Sequence, residues 1–180
     1  MRKTKSTLPH LSLAAVFTAL ITVFTAYIGH IPMPGNLGYL HFGDALIFLA
    51  ACLLPKPWAM AAGALGGGLA DILTYPAYTL PTVIIKAMLP LAFSARRQKI
   101  LCPQNLLALL PALLVSAAGY LTAQLILFRA EEAAAFGLVL QSLGGSLAQW
   151  AGSAVLFALL ALALDKASLK KRFEGMKNRA

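Results

Sequence analysis

The chain has 180 residues, of which 59% are hydrophobic and only 12% are charged, and its formal net charge is +9. Soluble domains carry roughly a quarter charged residues, so this composition excludes an ordinary soluble domain and indicates an integral membrane protein. The basic residues lie in short clusters between or outside the apolar runs, which excludes a nucleic-acid-binding patch. No Walker A sequence occurs, so the chain does not itself use ATP.

The first apolar run follows a basic segment at residues 1–6 and predicts transmembrane helix 1 over residues 8–28. It is too long and too poorly terminated for a cleaved signal peptide. Small residues recur along one face of this helix, which allows another helix to approach closely. They are Ala15, Ala19, Thr22 and Ala26. That face either packs inside the bundle or docks a partner protein.

A segment that cannot be helical follows at residues 29–42, because it holds two prolines and three glycines. Its Ile, Met, Leu, Tyr and Phe side chains are too apolar for a solvated loop, so we expect the segment to fold back over the bundle. Helix 2, predicted over residues 43–54, is short for a full membrane crossing. The folded-back loop is expected to supply the rest of that crossing.

Four more helices complete the predicted bundle. The first of them is rich in glycine and alanine, which indicates close approach by its neighbours. The four helices are predicted over residues 58–73, 80–93, 106–128 and 136–164, separated by a turn at 74–79, a basic loop at 96–104 and a polar link at 129–134. The predicted fold class is therefore an all-α integral membrane protein. Residues 1–180 form a single membrane domain, a bundle of six transmembrane helices.

The distribution of Lys and Arg predicts the orientation of the bundle. With the N-terminus inside, the cytoplasmic side receives thirteen of the fifteen basic residues. The outer side receives only Arg129, and Lys86 lies within the membrane. Both termini are therefore predicted to be cytoplasmic, in a multi-pass protein of the cell membrane.

Three charged residues, Asp44, Asp71 and Lys86, fall in the outer half of the predicted membrane region. Charges at that depth are costly and indicate a function. Polar and aromatic residues predicted at the same depth are Asn36, Tyr39, His41, Tyr75, Tyr78, Gln124, Gln141, Ser146, Gln149 and Trp150. Amide groups and aromatic faces near charged groups suit a flat heterocycle, so we predict that these residues form a substrate-binding site.

The same residues also have structural interpretations. Asp44 is placed to cap helix 2, and Asp71 and Lys86 could pair only with each other. The tyrosines could lie at the membrane interface. Gln149 and Trp150 could pack between helices.

Metal binding and catalysis find little support in the sequence. His30 and His41 lack a third ligand at suitable spacing, so no metal site is expected. No Ser-His pair or pair of aspartates is arranged for catalysis. We therefore expect a capture or transport protein, with neither enzymatic activity nor a cofactor.

An ordered set of short motifs extends from helix 1 to helix 4. The motifs are Ala15-x-x-x-Ala19, Tyr39-Leu40-His41-Phe42-Gly43-Asp44-Ala45, Leu69-Ala70-Asp71, Tyr75-Pro76-x-Tyr78 and Pro81-Thr82-x-Ile84-Ile85-Lys86. Together with the six helices, they resemble the substrate-specificity (S) components of energy-coupling factor (ECF) transporters. The branch they resemble in particular takes up small vitamin precursors.

This resemblance implies a protein that binds its substrate from outside, in a pocket under the first outer loop and among helices 4 to 6. It implies docking on a transmembrane coupling protein and two ATPase subunits in a prokaryotic membrane, with Ala15 and Ala19 facing the coupling protein. Members that carry nickel or cobalt have a metal-binding histidine near the N-terminus, whereas this chain begins Met1-Arg2-Lys3. The implied cargo is a heterocycle such as hydroxymethylpyrimidine or a pyridoxine-like compound. A flavin or a queuosine precursor would also suit these side chains.

Two other functions fit the residues. A small secondary transporter would use Asp71 as a proton or ion site, so Asp71→Asn would abolish coupling but leave substrate binding. A non-transporting scaffold would not be stabilised by any vitamin. A true ligand at 100 times its dissociation constant stabilises a protein by about 2.7 kcal/mol.

Overall fold

A computed structural model of the chain describes residues 7–28, 30–32, 39–128, 132–168 and 170. These residues form a bundle of helices and one small two-stranded sheet. The helices are α1 (Leu8–Val23, continued by a π-helical turn at Phe24–Ile28), α2 (Asp44–Leu53), α3 (Lys56–Thr74), α4 (Thr79–Met88), α5 (Pro103–Leu107), α6 (Leu109–Phe128) and α7 (Glu132–Lys166). Two 3₁₀ turns flank α4, at Pro76–Tyr78 and Leu89–Ala92, and the strands are β1 (Ile31–Pro32) and β2 (Tyr39–Leu40).

Each of the six predicted helices corresponds to a helical region of the structure. The fifth is divided at Ala108 into α5 and α6. Pro111 explains the break, because proline has no N–H to bond the Leu107 carbonyl and its ring crowds that oxygen. Three stretches, Leu8–Ile28, Pro103–Leu127 and Val139–Lys166, are long and apolar enough to cross a membrane. Six crossings and the orientation of the termini stay predictions.

Helix α3 packs closely against α1 and α4 through its glycines. A methyl group added at Gly66 would lie 2.7 Å from Ile21 Cβ of α1, and one at Gly68 would lie 2.6 Å from Val83 Cγ2 of α4. Both distances are far below van der Waals contact. The close approach predicted from the small residues of this helix is therefore confirmed.

The apolar core joins α2, the segment after α4 and α7. Phe48 of α2 stacks on Phe93, just after α4, with 5.0 Å between ring centroids, and meets Phe157 of α7 edge-on at 5.9 Å. All three rings are buried. Many large apolar side chains on the outside of the bundle are exposed, including Leu114 and Ile126 of α6. An apolar core with an apolar exterior is what a bilayer requires of a helical bundle.

The two ends of the bundle differ in composition, and we name them by their contents. The hairpin end carries β1, β2 and the Pro76–Tyr78 turn. The basic end carries Lys56, the 93–102 loop and the last turn of α7. At the basic end, the carboxylate of Asp165 accepts hydrogen bonds of 2.9 Å from the backbone N–H groups of Ile100 and Leu101, which fixes the loop to α7.

The first loop contains a strand pair that the sequence did not predict. Strands β1 and β2 pair antiparallel, with Ile31 opposite Leu40. The ring of Phe42, just after β2, occupies the space above Gly152 of α7, where a Cβ would clash with it. The segment after β2 thus packs against the bundle, as expected of a folded-back loop. Residues 33–38, which include the predicted site residue Asn36, lie outside the described residues.

Candidate substrate-binding site

A buried ion pair joins α2 to α4 in the half of the bundle nearer the hairpin end. Lys86 Nζ lies 2.6 Å from Asp44 Oδ1, and the two side chains are 1% and 4% exposed. Asp44 is the first residue of α2, where the partial positive charge of the helix N-terminus favours a carboxylate. Removing one partner of such a pair leaves a lone charge in an apolar interior, which costs about 3–5 kcal/mol.

Two glycines of α3 make room for Lys86. A methyl group at Gly67 would lie 2.9 Å from Lys86 Cγ, and one at Gly63 would lie 2.7 Å from the Lys86 carbonyl oxygen. The lysine therefore passes directly over the glycine face of α3 to reach Asp44 on α2. The small residues of α3 thus allow Lys86 to reach Asp44 and also allow the helices to pack closely.

Gln149 of α7 binds the second oxygen of the Asp44 carboxylate. Its Nε2 donates to Asp44 Oδ2 at 3.1 Å, and its Oε1 accepts a longer bond of 3.4 Å from the backbone N–H of His41. Gln149 is itself buried. One glutamine thus connects the ion pair to the segment that follows the hairpin.

His41 is a buried neutral imidazole beside the ion pair. Its Nδ1 accepts a 3.1 Å hydrogen bond from the Gly43 N–H, which requires that this nitrogen carry no proton. The imidazole is buried, and burial disfavours its charged form.

A row of aromatic rings leads from the ion pair toward the hairpin end. Lys86 Nζ lies 5.2 Å from the centroid of the Tyr120 ring, a cation–π distance. The Tyr120 hydroxyl is 3.2 Å from Thr82 Oγ1. The ring centroid of Tyr78 is 6.2 Å from that of Tyr120 and 5.3 Å from that of Tyr75. Tyr78 is buried, so its ring faces the inside of the bundle.

Several buried polar atoms near this network have no hydrogen-bond partner in the described part of the chain. They include the hydroxyl oxygens of Thr25, Thr79 and Ser142 and the carbonyl oxygen of Gln124. The last three come from α4, α7 and α6, and each lies one to two helical turns beyond the network toward the hairpin end. Buried polar atoms are normally hydrogen-bonded, so these atoms are suited to contact a polar molecule.

Two structural interpretations of the charged residues are wrong. The ion pair that the structure shows for Lys86 is with Asp44 rather than Asp71, because α3 and α4 place Lys86 beside Gly63 and Gly67, one to two turns deeper than Asp71. The Asp44 side chain also makes no capping hydrogen bond to α2, since Lys86 and Gln149 occupy its oxygens. Asp71 is buried and close enough to interact electrostatically with Tyr78 and Tyr120.

Trp150 packs rather than joining the network, in agreement with its structural interpretation. Its Nε1 donates a 2.7 Å hydrogen bond to the Leu109 carbonyl, and its ring packs against the apolar core. Gln141 and Ser146 of α7 are half-buried. Tyr39 is described only by its backbone, in β2.

Two residues of the network, Thr82 and Tyr120, were not predicted from the sequence as site residues. Each lies four residues before a predicted site residue, Lys86 and Gln124 respectively, and so on the same helix face. This spacing is the signal that could have identified them.

The small residues on one face of α1 fall into two groups, one packed inside the bundle and one exposed on its surface. Thr22 Oγ1 donates to the Gly66 carbonyl at 3.1 Å, and Ala26 is buried, so this part packs inside the bundle. Ala15 and Ala19 are exposed and line a shallow apolar groove of about 530 Å³ between α1 and α3.

Comparison with known proteins places this bundle in a family. A family model described as "ECF-type riboflavin transporter, S component" matches residues 5–166. A protein of Pyrococcus woesei described as "Uncharacterized protein in gap 3'region" is 42% identical over 66 residues, which cover 37% of this chain and 44% of that protein. The match thus spans less than half of that relative's length.

Because the family model covers most of the chain, the chain belongs to the family of ECF-type riboflavin transporter S components. An S component is the substrate-binding subunit of a transporter and not an enzyme. The resemblance noted in the sequence is thereby confirmed at the level of S components. The narrower assignment to a vitamin-precursor branch is not confirmed.

Proposed function

Starting from this membership, we propose that the chain captures a flat heterocyclic vitamin at the hairpin end and delivers it across the cell membrane with an ATP-driven coupling module. The hairpin end faces outward in this proposal and both termini are cytoplasmic, as the distribution of Lys and Arg predicts. All six helical regions cross the membrane, with the first loop completing the short crossing of α2.

The observation that carries the proposal is the buried network of Asp44, Lys86 and Gln149 in an otherwise apolar bundle. Such a network is costly to bury, and replacement by apolar residues often stabilises a protein. The presence of this network therefore favours a role in binding. Tyrosine rings and buried hydroxyl and amide oxygens on the hairpin side of the network supply the stacking faces and hydrogen-bond partners that a heterocycle needs.

The matched family makes riboflavin the first candidate substrate. Its isoalloxazine ring has a polar pyrimidine edge and an apolar benzenoid edge. The amide and hydroxyl groups beyond the network would contact the polar edge, and the tyrosine rings would contact the ring faces. Hydroxymethylpyrimidine and pyridoxine-like compounds, which suit the same groups, are the second candidate class.

Mass spectrometry of the small molecule retained by the purified protein tests this function. We expect a flavin or another heterocyclic vitamin in wild-type protein. The variant Asp44→Leu/Lys86→Met, which removes both charges together, should fold but retain none. An equal amount of the same compound in the double variant would contradict a site at this network.

Transport requires a second experiment, in which uptake is measured with and without a coupling protein and two ATPases. Uptake should depend on all of them. Uptake by the chain alone, driven by an ion gradient, would contradict the proposal and favour a secondary transporter. Failure of every vitamin to stabilise the protein thermally would favour a scaffold instead.

Ala15 and Ala19 are proposed to dock the coupling protein, because they are exposed beside the apolar groove between α1 and α3. The variant Ala15→Trp should reduce co-purification with the coupling protein without reducing substrate binding. Leu110→Trp, on the exposed face of α6, is the matched control. Equal co-purification of both variants would contradict docking at α1.

A further inference from the structure

A cavity of about 1220 Å³ opens at the basic end of the bundle. It lies between the start of α1, the link from α2 to α3 and the segment after α4. Its lining shares no residue with the Asp44 network. Substrate binding at the hairpin end therefore does not explain it.

The walls of this cavity are mainly apolar. Leu13 and Val16 of α1, Leu53 at the end of α2 and Phe93 after α4 contribute most of the large side chains. Leu13 and Val16 lie one to two turns into α1, so the apolar wall extends from the basic end into the region predicted to cross the membrane. The surface is suited to an acyl chain.

Three cations line the same cavity, and no acidic residue is among its described lining residues. Lys56, Arg96 and Lys170 are among the sixteen described lining residues, and none of the sixteen is Asp or Glu. Lys56 Nζ donates to the Leu91 carbonyl at 2.7 Å, and Lys170 Nζ donates to the Cys52 carbonyl at 2.9 Å. The Leu91 carbonyl is neutral, and no described carboxylate lies within salt-bridge distance of Lys56 or Arg96, so within the described residues the charges of these two side chains are uncompensated. Arg96 is exposed.

We propose that this cavity binds an anionic phospholipid, with the phosphate at Lys56 and Arg96 and an acyl chain along Leu13 and Val16. An apolar wall next to uncompensated cations matches a molecule that is itself apolar at one end and anionic at the other. A free phosphate ion would use the cations but none of the apolar wall. Lipid bound here would hold together α1, α3 and the segment after α4.

The test is a titration of purified protein in uncharged detergent with phosphatidylglycerol, with phosphatidylcholine of the same acyl chains, and with inorganic phosphate. Binding is followed by native mass spectrometry and by the midpoint of thermal unfolding. Phosphatidylglycerol should bind at a stoichiometry of one and raise the midpoint. Phosphatidylcholine should bind at least tenfold more weakly, and phosphate alone should have no effect.

Two charge-removal variants distinguish this cavity from general attraction to a basic protein. Lys56→Gln/Arg96→Gln removes two cavity charges, and Lys99→Gln/Lys166→Gln removes two exposed charges outside its lining. Each cation near an anionic lipid contributes about fivefold in affinity. The first variant should therefore bind phosphatidylglycerol about 25-fold more weakly, and the second should bind like wild type.

Three results would overturn the proposal. Equal weakening in both variants would indicate nonspecific electrostatics. Equal binding of the two lipids would show that the headgroup charge is not recognised. Stabilisation by phosphate alone would indicate a soluble anion. Unfolding of each variant without lipid is measured first, and because all four replaced residues are exposed, we expect unchanged midpoints.

Discussion

The hairpin end and the basic end of this bundle place positively charged side chains in opposite environments. Near the hairpin end, Lys86 is buried, bonded to a carboxylate and beside an aromatic ring. At the basic end, Lys56 and Arg96 are exposed around an open cavity, and Lys56 donates a hydrogen bond to the neutral carbonyl of Leu91. A buried, compensated charge specifies one internal arrangement, whereas an exposed and uncompensated charge attracts a partner from outside. The two ends should therefore respond differently to mutation.

The largest difference is expected for loss of a single lysine. Lys86→Met leaves Asp44 as a lone buried carboxylate and should lower the free energy of unfolding by about 3–5 kcal/mol. Lys99→Met at the basic end, where the side chain is exposed, should change it by less than about 0.5 kcal/mol. Thermal unfolding in detergent measures both. Similar losses in the two variants would remove the proposed contrast.

The glycines of α3 give the next largest effect. A Cβ at Gly63 would lie 2.7 Å from the backbone oxygen of Lys86, which cannot move without shifting α4. Gly63→Ala should therefore destabilise the protein by about 1–3 kcal/mol through overpacking.

Gly144→Ala on α7 is the matched control for that substitution, because nothing lies within 4 Å of its added methyl. It should be neutral, or stabilising by up to about 1 kcal/mol from helix propensity. The same unfolding assay compares the two variants. Equal stability would show that α3 and α4 are further apart than described.

Gln149 should affect ligand binding more than folding if the network contacts the substrate. Gln149→Leu removes the donor that orients Asp44 Oδ2 toward the site. A hydrogen bond to a charged group contributes about 1.5–3 kcal/mol, so if the substrate requires this orientation, vitamin binding should weaken at least about tenfold. Isothermal titration calorimetry measures the affinity. The exposed Gln98→Leu serves as the control, and unchanged affinity in Gln149→Leu would exclude this residue from the site.

The smallest effect concerns pH. Protonation of His41 would break the hydrogen bond that its Nδ1 accepts from the Gly43 N–H, so the unfolded state, in which histidine has its ordinary pKa of about 6.5, binds this proton more readily. Stability should therefore fall as the pH drops below about 6.5. From pH 7 to 5.5, this group should contribute a loss of about 1 kcal/mol. His41→Gln should remove that component of the pH dependence, and an unaltered profile in this variant would contradict a buried neutral histidine.

Much of the helical architecture was predictable because long apolar runs and Pro/Gly segments mark where helices begin and end. The break in the fifth helix was not predicted, because it depends on a single residue, Pro111, which divides the helix at Ala108. The β1–β2 pair was not predicted either, because two-residue strands in a Pro- and Gly-rich loop show no periodic pattern of apolar residues.

The sequence indicated which charged residues are buried together, but not which of them form the ion pair. Asp71 and Lys86 flank the same turn, so proximity in sequence favoured pairing them. The register of α3 on α4 instead places Lys86 over Gly63 and Gly67, level with the start of α2. Only the three-dimensional packing of α2 brings Asp44, 42 residues earlier in the chain, to that lysine.

Equilibrium dialysis of the purified chain against riboflavin, hydroxymethylpyrimidine and pyridoxine tests the central claim most directly. Wild-type protein should bind one of these compounds at a stoichiometry of one. The folded Asp44→Leu/Lys86→Met variant, which lacks both charges of the buried pair, should bind none of them. Equal binding by the wild type and this variant, or binding of none of the three compounds by the wild type, would contradict the account.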